Sequence, residues 1–400
     1  MKKPDDFDRA AMLDRTRALK MASSTHAYVR GNTAKFYEWL GESAVAKTLP
    51  QGPAVWICGD CHVGNLGPLA GTDGRVDVLI RDLDQSVIGN PAHDLIRLAV
   101  SLASAARGSD LPGVTTAQMV EEMVEGYEAA LADPEGENGA PEPEAVRTVR
   151  RRALGRKWKH LARERLDDVE PRIPLGSKFL KLEAAERAAL KALFAEDAVR
   201  RTILSLNDRD VGDRVRLADA AYWVKGCSSL GTLRFAALVS VGGSKHLPDA
   251  HALIDLKEAV AAVAPSAPKA EMPADHAERV VAGARALSPN LGERMLATHV
   301  LGKPMVLREL MPQDLKLEID QFSRREATRA ARYLAYVVGT AHARQMDAPT
   351  RRGWRKTLLD HRGAGIEAPS WLWRSVVDLT ARHEAGYLEH CRRYALGTAA

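Results

Sequence analysis

The sequence predicts an α+β fold in which a strand-rich part sits between two helical parts, and three observations carry that expectation. Apolar residues recur at helical spacing through the first 50 positions, the pattern shifts near residue 215 to short apolar runs of strand character, and helical periodicity returns from Ser323. A chain of 400 residues has room for two or three domains. The shifts divide it into a helical lobe over 1–210, a strand-rich lobe over 211–319, and helices over 320–400 that rejoin the first lobe.

Taken in order, Phe7, Ala11, Leu13, Leu19, Tyr28, Phe36 and Leu40 mark helices interrupted at Gly31 and Gly41. AVWIC, ending at Cys58, and VDVLI, ending at Ile80, are short apolar runs followed by acidic residues. They read as buried strands that deliver polar side chains from their C-terminal ends. Asp94 to Ala106 and Thr116 to Leu131 read as helices, and the Pro-, Gly- and Glu-rich stretch Asp133 to Glu144 as an exposed loop. In the strand-rich part the runs are AAYWVKG, LRFAALVSV, HALIDLKEA and MVLREL, with a helix beginning near His276 and a Pro-rich loop from Val263 to Pro273. No internal repeat is visible.

The 57 basic side chains exceed the 52 acidic ones only slightly, so overall charge selects no partner. Basic residues crowd into Arg147 to Arg165. The expectation there is a solvated helix docked through Leu154, Trp158 and Leu161, with a nucleic-acid face around Arg150 to Arg152 as the alternative. No stretch reaches about 18 uninterrupted apolar residues, and MKKPDDFDRAAML lacks an apolar segment, so neither membrane insertion nor export is expected. Four cysteines without framework spacing fit the reduced thiols of a cytoplasmic protein. Oligomeric state has no signature in the sequence.

The strongest chemical signal is Gly59-Asp60-Cys61-His62-Val63-Gly64-Asn65 after one apolar strand, with Arg81-Asp82-Leu83-Asp84 after the next. Phosphoryl transfer needs a carboxylate to orient the attacking hydroxyl and oxygen ligands to hold Mg²⁺ against phosphates. Asp60 suits the first task, and Asn65 with Asp82 the second, Asp84 competing with Asp82. Cys58-Gly59-Asp60-Cys61-His62 also satisfies C-x-x-C-H, but haem attachment requires export, and zinc would need a second C-x-x-C. Cys58 is therefore expected in the core and Cys61 at a variable loop position.

The Asp60, His62, Asn65 spacing resembles the catalytic loop of aminoglycoside phosphotransferases and choline kinases, and Asn90-Pro91-Ala92-His93-Asp94-Leu95 continues the likeness. In that pattern Asp94 and His62 brace the loop. More narrowly, LKMASSTHAYVRGN, VWICGDCHVGNLG, IRDLDQSVIGNPAHDLIRLAVSLASAA, VKGCSSLGTLRF and GTAHARQMD together resemble the bacterial DUF2252 family. The resemblance implies a protein-kinase-like two-lobed fold that binds ATP and Mg²⁺ and acts on a small-molecule hydroxyl acceptor.

A Gly-rich hairpin lets backbone N–H groups approach phosphates, and Gly226, Ser228, Ser229 and Gly231 supply a partial version of it. Downstream, Lys257 is expected as a kinase strand lysine, the alternative being a charged strand end, with Glu278 as its ion-pair partner and Glu271 and Glu258 competing, while Arg308 and Glu309 are expected to mark an adenine-lining hinge. Arg30 is a further candidate for substrate or phosphate contact, with a surface ion pair as the equal alternative. These features follow the catalytic loop instead of preceding it, so the expected fold is circularly permuted, with Lys257 folding back beside Asp82. Nucleotidyl transfer and binding without catalysis remain alternatives.

Overall fold

The computed structural model describes residues 8–109, 111–135, 140–166, 172–207, 209–227, 230–242, 250–317, 323–360 and 367–394. The chain opens with α1 (Arg9–Ala22), α2 (Thr25–Gly31) and α3 (Thr33–Glu42), then β1 (Val55–Ile57), β2 (Leu66–Ala70), β3 (Val76–Ile80) and β4 (Val87–Gly89). Helices α4 (Pro91–Gly108), α5 (Gly113–Ala132), α6 (Glu144–Leu154) and α7 (Trp158–Arg165) follow. Next come β5 (Phe179–Leu180), α8 (Ala184–Leu193), α9 (Asp197–Leu204), β6 (Arg214–Trp223), β7 (Arg234–Gly242) and β8 (Ala250–Glu258). The remainder is α10 (His276–Leu287), α11 (Pro289–Gly292), β9 (Met295–Val300), β10 (Lys303–Glu309), α12 (Arg324–Ala343), α13 (Ala348–Asp360) and α14 (Ser370–Tyr394). The class is α+β, with strands paired antiparallel, and no described helix is long and apolar enough to cross a membrane.

Local chemistry explains where the key elements begin. Asn90 caps α4 by accepting from the Ala92 N–H at 3.0 Å, and Pro91 occupies the first turn, where no amide donor is needed. Helices α5 and α12 press together so closely that a Cβ at Gly126 would lie 2.0 Å from the Arg332 carbonyl oxygen. They belong to the larger core, which also takes in β1, β3, α4, α10 and α14.

The six-stranded sheet has the order β5-β6-β7-β8-β10-β9. Side chains alternate across it. Phe235, Ala237, Val239, Ile254, Leu256 and Leu307 face a core shared with α1, α8 and α9. Ala236, Leu238 and Leu253 face the other side, and by the same alternation so do Arg234, Asp255, Lys257 and Arg308.

Two expectations about the layout are corrected. The cores do not divide at residue 210: Leu182, Leu190, Leu193, Val199 and Ile203 cover the sheet, and Phe179 pairs with Trp223, whereas Ala277, Val280 and Ala284 of α10 enter the larger core. The basic segment is two helices broken at Gly155 to Lys157, and Leu154 is 51% exposed instead of docked. Its charges are partly spoken for within the chain: Arg150 makes two hydrogen bonds to Glu142, at 2.7 and 2.9 Å, and Arg156 pairs with Glu164 at 2.8 Å.

Candidate active site

The loop after β1 turns at Gly59, whose φ of 71° lies in the left-handed region, and a Cβ there would sit 2.2 Å from the Gln85 carbonyl oxygen. Only glycine fits. The Cys58 and Gly59 N–H groups donate to the Asp94 carboxylate at 2.7 and 2.9 Å, and the Tyr37 hydroxyl donates to the Gly59 carbonyl at 2.6 Å. Asp94 is fully buried in the first turn of α4, where the helix N-terminus also favours negative charge. His342 Nε2 lies 3.1 Å from Asp94, its Nδ1 2.9 Å from the Tyr127 hydroxyl, and Trp354 Nε1 donates to that hydroxyl oxygen at 3.3 Å. The consistent assignment has Nε2–H donating to the carboxylate and the Tyr127 hydroxyl donating to Nδ1. Asp94 therefore holds the loop from behind.

Asp60 comes next, and Arg97 of α4 grips one of its oxygens: Nε and Nη2 lie 2.9 and 2.8 Å from Oδ1. The same guanidinium donates to the Val29 carbonyl at 2.7 Å, tying α2 to the loop. Oδ2 is left to the cleft, with His62 Nε2 3.9 Å away. Burial raises the Asp60 carboxyl above its usual value against the opposing pull of Arg97, and burial with the nearby Arg30 and Arg97 keeps His62 neutral. Asn65 Nδ2 donates to the Asp60 carbonyl at 3.0 Å, which turns the amide oxygen away from the loop. Arg30 lies directly over Gly64, where a Cβ would be 2.8 Å from its Cζ.

The hairpin β2–β3 returns the chain, and the Arg81 N–H donates to the Asn65 carbonyl at 2.7 Å, so the two acidic segments meet. Lys257 Nζ of β8 lies 3.4 Å from Asp82 Oδ2 and also pairs with Asp84. The Asp82 side chain is 46% exposed. Burial opposes its ionisation, but Lys257, then Arg308 and Arg234, outweigh this and hold it well below the usual carboxylate range. Burial lowers Lys257, with Asp82 opposing.

Cross-strand neighbours complete the sheet wall. Arg234 clasps Asp255 with two hydrogen bonds of 2.9 and 2.6 Å, and Lys225 and Arg308 approach the same carboxylate at 3.8 and 3.5 Å. Asp60, Asn65 and Asp82 share a cleft of about 670 Å³ with this wall, and Leu310, Met311 and Pro312 close one end of it. Asp84 joins the three in an adjoining pocket of about 180 Å³. The larger cleft is lined by ten lysine and arginine side chains against four carboxylates. Burial pulls Arg81 down to about 10, with Asp314 opposing.

Not every expected residue joins the site. Gly226 lines the cleft, and Gly226 and Gly231 have φ of 97° and 104°, but Ser228 and Ser229 lie outside the described residues. Glu278 is exposed at the start of α10 and makes no ion pair with Lys257, whose partners are the two aspartates. Glu309 is consumed in a buried pair with Arg209, at 2.6 and 2.7 Å, and Arg308 points at Asp255, while the next three residues, Leu310, Met311 and Pro312, line the cleft. Cys61, in the loop after β1, is fully buried in the core, as is Cys58, and both are free thiols. Arg97 and Asp255 were missed, although each is a lone charge inside an apolar run, LIRLAV and ALIDL.

Among the described residues no group of three or more His, Cys, Asp and Glu side chains could hold a metal. The oxygen donors Asn65 and Asp82 fit a hard cation that draws its remaining ligands from phosphates and water, the habit of Mg²⁺. No curated protein and no solved structure matches the chain. A family model described as an uncharacterized protein conserved in bacteria matches residues 9–393. Because that match takes in both the loop after β1 and the whole six-stranded sheet, the chain belongs to the DUF2252 family.

Proposed function

We propose that the chain is a kinase-like, circularly permuted phosphotransferase that uses ATP and Mg²⁺ to phosphorylate a hydroxyl on a small molecule. The observation that carries this reading is the meeting of Lys257 and Asp82 at 3.4 Å across 175 residues of sequence, Asp82 itself lining a cleft with Asp60 and Asn65. Counted from β6, Lys257 sits on the third strand and α10 follows it, which is the order of a kinase nucleotide lobe. The order of the two lobes along the chain supports permutation. A cleft of about 670 Å³ has the size of a small-molecule site.

In this reading Asn65 and Asp82 would hold Mg²⁺, which would supply charge neutralisation at the transferring phosphate. Asp60 works through Oδ2, because Oδ1 is fixed by Arg97. It orients the acceptor hydroxyl and takes its proton as the new oxygen–phosphorus bond forms; the bond from the γ-phosphorus to the bridging oxygen breaks, and ADP leaves. The raised Asp60 value suits a proton acceptor. Lys257 must exchange an aspartate for phosphate when nucleotide enters, and its two partners differ in exposure, 46% for Asp82 and 29% for Asp84.

The test is calorimetric titration of ATP into wild type and Asp82→Ala, with and without Mg²⁺. Binding that requires Mg²⁺ and weakens at least tenfold in the variant is expected. Wild-type protein that takes no nucleotide under any condition would sink the reading, and the mass of a modified acceptor separates phosphoryl from nucleotidyl transfer.

A further inference from the structure

We infer that the cleft holds a second oxyanion seat, formed by Arg30, Arg81 and Lys316 beside the catalytic loop, and that the acceptor is itself a phosphate monoester bearing a free hydroxyl. The inference deepens the phosphotransferase reading and rests on it for the word acceptor, but the seat stands on its own geometry. Among the described residues none of these three side chains forms an ion pair, which sets them apart from Lys225, Arg234 and Arg308 of the sheet wall, all of which approach Asp255. Among the described residues Arg30 has no hydrogen bond or ion pair, and its Nε is buried and unpartnered. Arg81 donates only to the Asp314 carbonyl, at 3.4 Å, and its Nε is likewise buried without a partner. Lys316 has no carboxylate within ion-pair distance among the described residues, and all three line the same cleft as Asp60.

Unpaired buried guanidinium groups are costly to a fold, and three cations that repel one another are costlier still. Such an arrangement is stable when a ligand completes it. The nucleotide does not account for it. The sheet side already offers Lys257, Lys225, Arg234 and Arg308, and a triphosphate whose charge Mg²⁺ has partly neutralised offsets only part of the excess of ten cations over four carboxylates. Arg30, Arg81 and Lys316 come instead from α2, the end of the β2–β3 hairpin and the segment after β10. Two planar guanidinium forks and an ammonium match the three terminal oxygens of a phosphate better than a lone carboxylate. The same field rejects aminoglycosides and choline, which are cations.

The probe is inorganic phosphate, titrated calorimetrically into the full chain, with sodium acetate as the second arm. Both titrations are run with the cleft empty and with it saturated by a Mg²⁺-bound nonhydrolysable ATP analogue. Phosphate should bind in both states and at least tenfold more tightly than acetate. Its affinity should fall at least tenfold in Arg30→Gln/Lys316→Gln and recover in Arg30→Lys/Lys316→Arg. Equal or tighter binding of acetate, displacement of phosphate by the analogue, or affinity unmoved by the double variant would each overturn the seat. Failure of the analogue to bind while phosphate still does would remove the nucleotide reading and leave the seat intact. Because the substitutions delete unpaired charge, the double variant should melt no lower than wild type. A lower melting temperature would mean that the cations brace the fold, which also overturns the inference.

Discussion

On the sheet side of the cleft, Arg234, Lys225 and Arg308 converge on Asp255, which is 1% exposed, while on the helical side Arg30 and Arg81 form no ion pair among the described residues. Both walls are cationic, and both line one cavity. The difference is where the counter-charge comes from. The sheet supplies its own through the pairing of Arg308 with Asp255 across β8 and β10, so its cations hold position before any ligand arrives. The helical side leaves the task to something that enters. One wall is thus built for stability and the other for binding, and perturbing each should give opposite results.

The largest effect should come from Asp255→Ala. It strands several buried cations at once, and removing one partner of a buried ion pair costs about 3–5 kcal/mol. Urea unfolding of the variant checks this. A change under about 1 kcal/mol would mean that water already screens the sheet wall, and the contrast between the walls would vanish. The same residue sets an acid limb. Burial disfavours the Asp255 charge, but Arg234 and Lys225 outweigh it and hold its carboxyl well below the unfolded value of about 3.9. Its stabilisation is therefore complete above that value and is lost as pH falls from about 5 through the folded pKa. Asp255→Asn should flatten this limb in a series of melts, and an unchanged limb would assign acid sensitivity elsewhere.

A smaller loss is expected from Asp94→Asn. An amide has one oxygen where the carboxylate accepts from both Cys58 and Gly59, so one buried N–H loses its partner, at a cost of about 1–3 kcal/mol. Because those amides lead directly into Asp60, Mg²⁺-dependent nucleotide binding should weaken as well, by about tenfold or more. Stability lost with nucleotide affinity intact would show that the loop keeps its shape through the Tyr37 and Arg97 contacts alone.

What could be read from the sequence follows the same division between local and distant causes. The loop after β1, helix α4 (read from Asp94 where it begins at Pro91) and the strand bearing Lys257 depend on spacing within a few residues, and all were legible. Asp94 was placed correctly as a brace because a charge in the first helical turn has a local reason to be there. Glu278 was not. Periodicity finds α10 but does not say which of its faces turns inward, and Ala277, Val280 and Val281 take the buried side, leaving Glu278 in solvent. Helices α8 and α9 show the same limit, since an apolar face does not name its partner. Arg97 and Asp255 find theirs 37 and 21 residues away. A lone charge inside an apolar run announces that a partner exists, because a buried ion must be paired, but only the fold says which one.

The smallest effect, and the one that most sharpens the contrast between the walls, belongs to Arg30→Gln alone. An arginine in a fold-bracing role would lose stability on losing its charge, as the Arg234 pair would. Arg30 makes no ion pair and no hydrogen bond among the described residues, so substitution removes a desolvated charge without leaving a carboxylate stranded. Stability should stay within about 0.5 kcal/mol of wild type or rise. The same unfolding measurement that reports a large loss for Asp255→Ala would then report almost none here, at a residue lining the same cavity and carrying the same kind of charge. A loss above about 1 kcal/mol would place Arg30 among the structural cations instead, because the energy it contributes would then be present before any ligand binds.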